Sequence, residues 1–234
     1  MRKSLLVAAT AALAISITGV AQAQTAAPHI DVTASVSPTK AGTKSKPKFE
    51  KFALSVKNDP ASKTTAKSIA ITFPSTLKLS TKGLDQCKAT DAALIENVNV
   101  CRKSIAGKGA ARALLNPFAP SPAPLTFKVT PVIGKNELIF VLSGSANAVL
   151  HGKISGSKLT IAITPALQQP VPNVYSALND LSTSLSKTKG SNSLISSVGC
   201  KSKKHKVSVT VGYAPNPTAP SQSSASNTAD AKCS

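Results

Sequence analysis

Apolar side chains alternate with polar ones at every second position in several short segments of this 234-residue chain. This period matches a β-strand, in which successive side chains point to opposite faces of a sheet. Pro, Gly and Asn separate the segments, as they commonly separate strands. The segments with this pattern are 30–36, 49–57, 67–73, 125–132, 137–142, 148–155, 158–164 and 206–213. The sequence therefore predicts an all-β fold over residues 30–213, a two-sheet β-sandwich that is immunoglobulin-like or jelly-roll-like.

Two stretches do not follow the alternation clearly. Residues 89–97 have the composition of one or two helical turns, with Thr90 in the position of an N-cap, and they predict a short helical excursion. Residues 175–186 fit a helix and a strand almost equally well, because both periods find apolar side chains there. Periodicity leaves this second stretch undecided.

The first 23 residues have the pattern of a signal peptide. Two basic residues, Arg2 and Lys3, precede an apolar run, and the run ends in the small-x-small sequence Ala21-Gln22-Ala23. A membrane anchor is the alternative, but a spanning helix needs about 20 strongly apolar residues and this run is shorter. We therefore expect cleavage after Ala23, a short N-terminal tail at 24–29, no membrane-spanning segment in the mature chain, and a secreted or cell-envelope location.

Four cysteines follow the predicted leader. An even number in an exported chain predicts two disulfides, for which three pairings exist. Proximity in the sequence favours Cys87–Cys101 and Cys200–Cys233, and the second pair would tie back a low-complexity tail at 214–234. A zinc site is the alternative, but it needs closely spaced Cys and His pairs that this chain lacks. The sequence predicts no metal and no other cofactor.

Charge is the strongest indication of a partner. The chain has 28 Lys and Arg against 9 Asp and Glu, and Arg102 and Arg112 are its only arginines beyond the predicted leader. Lys is a hydrated point charge, whereas Arg binds anions through a planar fork, so this balance favours diffuse attraction to an anionic surface. An anionic cell-wall polymer or an acidic membrane surface is the expected partner. Nucleic acid is not expected, because the chain is exported and has no Trp and only two Tyr for stacking on bases.

Two groups of lysines carry the predicted polyanion-binding surface. One is Lys201, Lys203, Lys204 and Lys206, and the other is Lys40, Lys44, Lys46 and Lys48. Each Lys near an anionic bilayer contributes about 1 kcal/mol at low salt. The alternative is that these lysines only keep the protein soluble and protect strand ends from aggregation.

No catalytic constellation stands out. The acidic residues are scattered along the sequence, His29, His151 and His205 lie in unrelated contexts, and no nucleophile elbow is present. We therefore expect a structural or binding module. Two alternatives remain: a secreted hydrolase, which needs acids or an acid and a His gathered in a cleft, and a small-ligand or lipid carrier, which needs a hollow apolar interior.

One set of motifs resembles a known group of proteins. The motifs are Phe73-Pro74-Ser75-Thr76-Leu77, a Cys at 87, and Cys101 followed by Ser104-Ile105-Ala106-Gly107-Lys108-Gly109-Ala110, with Gly199-Cys200 and Cys233 later in the chain. They resemble uncharacterised exported β-sandwich proteins of actinobacteria. Arg102 and Lys103 depart from the Pro that often precedes the Ser-Ile element there. The resemblance implies a strand at 175–186 and implies no activity.

Overall fold

The computed structural model describes residues 29–59, 63–215 and 223–234, so the predicted leader and most of the tail at 24–29 lie outside the described residues. The strands are β1 Ile30–Ser37, β2 Lys48–Phe49, β3 Lys51–Asn58, β4 Ala66–Thr72, β5 Leu77–Leu79, β6 Gly107–Leu115, β7 Ala123–Gly134, β8 Glu137–Gly144, β9 Ala148–Ser155, β10 Lys158–Ala162, β11 Ser176–Leu185, β12 Thr188–Lys189, β13 Asn192–Ser193, β14 Ile195–Ser197, β15 Lys204–Tyr213 and β16 Ser224–Lys232. The helical segments are α1 Asp91–Glu96, a 3-10 helix Val98–Ser104 and α2 Pro165–Gln168. In the described ranges, no helix has the length and apolar character that a membrane crossing requires.

Eleven strands form one antiparallel sheet in the order β1-β3-β11-β6-β7-β8-β9-β10-β4-β15-β16. A three-stranded sheet has the order β2-β14-β5, and β12 pairs with β13. The all-β prediction is confirmed. Residues 176–185 form a full strand between β3 and β6, which decides the stretch that periodicity left open.

The large sheet curls until its two edge strands meet. The side chain of Asn227 in β16 donates a hydrogen bond to the carbonyl of Ile30 in β1, at 2.7 Å. Phe52 in β3 and Phe73 after β4 belong to distant parts of the sheet order, yet their ring centroids are 5.1 Å apart. The two layers of the sandwich are therefore halves of one continuous sheet, and they enclose a single main core.

Alternation along each strand fills that core. In β15, Val207, Val209 and Val211 are completely buried, while the residues between them are less so. Full burial of a Val side chain stabilises the fold by about 1.5–3 kcal/mol relative to exposure. This pattern sets the register of the strand, because a slip of one residue would turn all three valines outward.

The predicted helical excursion is confirmed. Thr90 caps α1 by accepting a hydrogen bond from the amide of Ala93 at 3.3 Å. The excursion packs on the outer face of the sheet, where Leu94 and the Cys87–Cys101 disulfide join side chains of β7, β8 and β9 in a second, smaller core. A short helical segment thus covers an apolar patch that would otherwise face water.

Both predicted disulfides form, Cys87–Cys101 and Cys200–Cys233, and no cysteine is free. Disulfides of this kind form and persist in oxidising compartments outside the cytoplasm.

The prediction of a low-complexity tail at 214–234 is wrong for its last part. Residues 224–232 are strand β16, which pairs along its length with β15. Ala225, Ala229 and Ala231 face the core and are buried. Ala225 and Ala231 belong to the main core, so alanine forms the inward face of this strand. Residues 216–222 lie outside the described part of the chain.

Candidate functional site

The two predicted lysine groups meet at one end of the curled sheet. The Cys200–Cys233 disulfide holds the loop before β15 against the end of β16, and the amide of Cys233 donates to the carbonyl of Lys203 at 3.0 Å. These two bonds hold in place the first lysine group, which is formed by Lys201, Lys203, Lys204 and Lys206. Its position therefore depends on a covalent link across 33 residues of sequence.

The segment between β1 and β2 joins the same end through Ser234. The amide of Ser234 donates to the carbonyl of Thr39 at 2.8 Å, and its own carbonyl accepts from the amide of Ala41 at 2.7 Å. A turn follows, in which the hydroxyl of Thr43 accepts from the amide of Lys46 at 3.1 Å. These bonds place the second lysine group beside the first, although about 160 residues separate the two groups in sequence.

Two further lysines, Lys78 and Lys232, extend this surface. Lys232 lies directly opposite Lys204 in the β15–β16 register, and Lys78 lies in β5, which is joined to β2 through β14. We call the resulting surface the basic pole. It consists of Lys40, Lys44, Lys46, Lys48, Lys78, Lys201, Lys203, Lys204, Lys206 and Lys232. All of these are exposed except Lys48, which is half-buried.

Two acidic side chains accompany these lysines among the described residues. Asp230 is 2.6 Å from the ammonium nitrogen of Lys204. The other, Glu50, is completely buried, so Asp230 is the one carboxylate among the described residues that pairs with a lysine at the pole's surface. The pole therefore presents dense positive charge to the solvent.

Glu50 is the unusual residue of this region. It lies between β2 and β3, its amide donates to the carbonyl of Ile195 at 3.0 Å, and its side chain falls on the inward phase of Phe52. Neither carboxylate oxygen has a hydrogen-bond partner among the described residues. Burial raises the pKa of Glu50 to about 7, while the nearby charge of Lys48 acts in the opposite direction.

His205 lies inside the pole and adds no charge to it. The ring is completely buried, and its Nδ1 is 2.7 Å from the hydroxyl of Thr76. Burial lowers the pKa of His205, so the neutral ring is favoured. Its position on the inward phase of β15, two residues before Val207, makes it a structural residue.

The structure gathers one His with two acids, on the outer face of the sheet near α1. Nδ1 of His151 is 3.0 Å from a carboxylate oxygen of Glu137, and Nε2 is 3.2 Å from one of Asp91. Burial acts to lower the pKa of His151, but the hydrogen bonds that Glu137 and Asp91 accept from the ring, together with their negative charges, outweigh it, and the pKa is raised. The ring therefore links α1 to β8 and β9 through contacts at both of its nitrogens.

This cluster does not have the arrangement of a hydrolase. Each ring nitrogen of His151 already faces a carboxylate, so neither is left to take a proton from a nucleophile. The two acids lie on opposite sides of the ring, and no group of three His, Cys, Asp or Glu in the described ranges is placed to hold a metal ion. The arrangement is that of a structural clasp.

Most of the other acids pair singly with basic side chains. Asp180 lies 2.7 Å from Arg112, and Asp85 binds Lys189. Such pairs balance charge locally, and they do not bring two carboxylates to face each other as glycoside hydrolysis requires.

Sequence reasoning missed Lys78, Lys232, Glu50 and the clasp at His151. Glu50 had a signal, because it is in phase with Phe52, Leu54 and Val56 and must point inward in any strand that buries them. The clasp at His151 had no signal in the sequence, because it depends on where the helical excursion packs on the sheet. No family model matches this chain, and comparison with curated proteins finds no relative, so the resemblance to exported actinobacterial proteins stays a prediction.

Proposed function

We propose that this protein is an extracytoplasmic binding module that holds an anionic polymer of the cell envelope at the basic pole. The observation that carries the proposal is the convergence of two lysine groups, distant in sequence, around one disulfide and one hydrogen-bonded residue, Ser234. Lysines that served only for solubility would have no need to converge in this way. The two disulfides support a location outside the cytoplasm.

The type of charge indicates the type of partner. No arginine belongs to the basic pole: Arg112 is engaged by Asp180, and Arg102 lies in the 3-10 helix beside the other disulfide. Lysines attract through charge density and do not select one anion by shape. A polymer with a repeating phosphate or carboxylate suits such a surface, because each repeat can find a lysine without a fixed register.

A membrane surface is less well supported than a polymer. Peripheral proteins usually add an apolar face that inserts beside the headgroups. Phe49, in β2, is the one exposed large apolar side chain beside the pole among the described residues. We therefore treat anionic vesicles as a comparison in the test.

The test is salt-dependent binding of the purified protein to isolated envelope polymer, with polygalacturonate and polyphosphate as defined polyanions. At about 10 mM salt the screening length is about 30 Å, and at about 150 mM it is about 8 Å. We expect retention at the lower salt and strong loss at the higher. A protein that stays free at about 10 mM salt contradicts the proposal.

Two variants of equal charge locate the surface. The pole variant changes Lys40, Lys44 and Lys203 to Gln. The control variant changes Lys57, Lys67 and Lys128 to Gln, three exposed lysines on other parts of the sheet. We expect the pole variant to lose at least tenfold in affinity and the control to lose less than threefold. Equal losses would show that net charge alone is responsible.

A further inference from the structure

A cavity of about 260 Å³ lies inside the curled sheet, between its two layers. Its walls are apolar side chains from seven different strands, among them Ile69, Ala111, Phe127, Phe140, Leu150, Ile161 and Leu181. Protein interiors normally contain few voids larger than a water molecule, because empty space forfeits packing contacts. This cavity also opens to the solvent on one side, and a concave apolar space of this kind has the character of a small-ligand site.

Each polar side chain at this cavity already makes a hydrogen bond to the backbone. Of the described residues that line it, only Ser145 and Ser176 carry polar side chains. The hydroxyl of Ser145 accepts from the amide of Thr126 at 2.9 Å, and the hydroxyl of Ser176 donates to the carbonyl of Leu167. A polar atom placed against the apolar walls of the cavity would lose its water and face only hydrocarbon, which is unfavourable. The enclosed part of the ligand must therefore be hydrocarbon.

The volume sets the size of that ligand. An apolar cavity of about 150 Å³ lined by Leu, Ile and Phe accommodates benzene, which has six carbon atoms. By proportion, the cavity in this protein suits about ten. A full-length membrane acyl chain would not fit within it.

Exposed lining residues show where the cavity meets the solvent. Ala146 lies in the turn between β8 and β9, Ala166 lies in α2, and Pro170 follows α2. None of the described residues that line the cavity is charged, so they offer no partner for an ionised headgroup. We propose that this cavity binds a neutral medium-chain alkyl group of about eight to eleven carbons, with its polar end at the rim formed by Ala146, Ala166 and Pro170.

The cavity and the basic pole are separate sites. Strand β15 begins at Lys204 in the pole and ends at Tyr213, which pairs with Ala66 on the cavity wall. Nine residue steps of strand correspond to about 30 Å. Occupation of the cavity therefore goes beyond the proposed binding of a polymer, and each proposal can fail without the other.

The test measures the binding of straight-chain 1-alkanols, from hexanol to tetradecanol, to the delipidated full chain by isothermal titration calorimetry. Each added methylene should increase the affinity about fourfold while it enters the cavity. We expect this increase to stop at about eleven carbons. No binding up to decanol, or an increase that continues through tetradecanol, would overturn the proposal.

Matched variants place the ligand. Ala111→Phe fills the cavity from β6 and should weaken decanol binding at least tenfold, whereas Ala110→Phe, on the exposed face of the same strand, should change it less than twofold. Ala146→Trp at the exposed rim obstructs the entrance without touching the core, and it should slow decanol association at least fivefold. If Ala111→Phe does not fold, Ala146→Trp alone tests the site. The pole variant should bind decanol like the wild type. Wild-type binding in both Ala111→Phe and Ala146→Trp would refute the site.

Discussion

Replacing Glu50 with Gln should remove a large pH-dependent loss of stability. The carboxyl group is fully buried without a hydrogen-bond partner among the described residues, and its pKa is raised from 4.5 to about 7. Between these two values the folded state holds a proton that the unfolded state has released. The free energy of unfolding therefore falls as the pH rises from 4.5 through 7, and it levels off above that range.

The magnitude follows from the two pKa values. One pKa unit corresponds to about 1.4 kcal/mol, so the full effect is about 3–4 kcal/mol. Most of it, about 2–3 kcal/mol, falls between pH 5 and pH 8. The Gln side chain is also buried without a partner, but that cost does not depend on pH and cancels when the two pH values are compared.

The measurement is urea unfolding followed by circular dichroism at pH 5 and pH 8. We expect the wild type to lose about 2–3 kcal/mol more than Glu50→Gln over this interval. Glu96→Gln, at the exposed end of α1, is the matched control and should behave like the wild type. If Glu50→Gln shows the same pH dependence as the wild type, the carboxylate is hydrated or paired and the reasoning about its burial is wrong.

Three other substitutions test the fold. His151→Gln should lower the free energy of unfolding by up to about 1 kcal/mol near pH 5.5. The loss should be smaller above the raised pKa of His151, because the neutral ring donates only one hydrogen bond. Urea unfolding at two pH values measures this, and an equal loss at both would contradict it. Changing Cys87 and Cys101 to Ser opens a loop of 14 residues and should lower the free energy of unfolding by about 3 kcal/mol. Hydrogen exchange should become faster only in the helical excursion, because the excursion covers the sheet from outside. Faster exchange throughout the sheet would contradict this. Gly109→Ala places a methyl group against the backbone oxygen of Ser182 and should cost more than about 1 kcal/mol in thermal unfolding, whereas an unchanged midpoint would show that β6 and β11 can separate.

Strands with large alternating side chains were predictable from the sequence. The inward valines of β15 and the inward Phe52, Leu54 and Val56 of β3 lie at the expected period. The helical excursion was also predictable, because Thr90 caps it and two cysteines bracket it. These features are local, and local patterns are what a sequence displays directly.

Features that depend on distant parts of the chain were not predictable. Strand β16 alternates Ala with Ser, Asn, Thr and Asp, and alanine gives too weak a hydrophobic signal to mark a face. The size of the cavity depends on the gap left between side chains of seven strands, and no single segment of the sequence contains that information. The basic pole requires both the disulfide to Cys233 and the bonds of Ser234, so its lysines become neighbours only in the folded chain.

Glu50 and the basic pole should act on each other. The charge of Lys48 lowers the pKa of Glu50, against the effect of burial. A bound polyanion offsets lysine charge and should raise that pKa, and by reciprocity the polyanion should bind more tightly when Glu50 is protonated. One charge at about 10 Å changes the free energy by about 0.4–1.7 kcal/mol, depending on the local dielectric, which is about twofold to fifteenfold in affinity. Polyphosphate affinity should therefore fall as the pH rises through 7 in the wild type and stay nearly constant in Glu50→Gln. If polyphosphate affinity had the same pH dependence in both proteins, the charge of Glu50 would have no effect on binding at the basic pole.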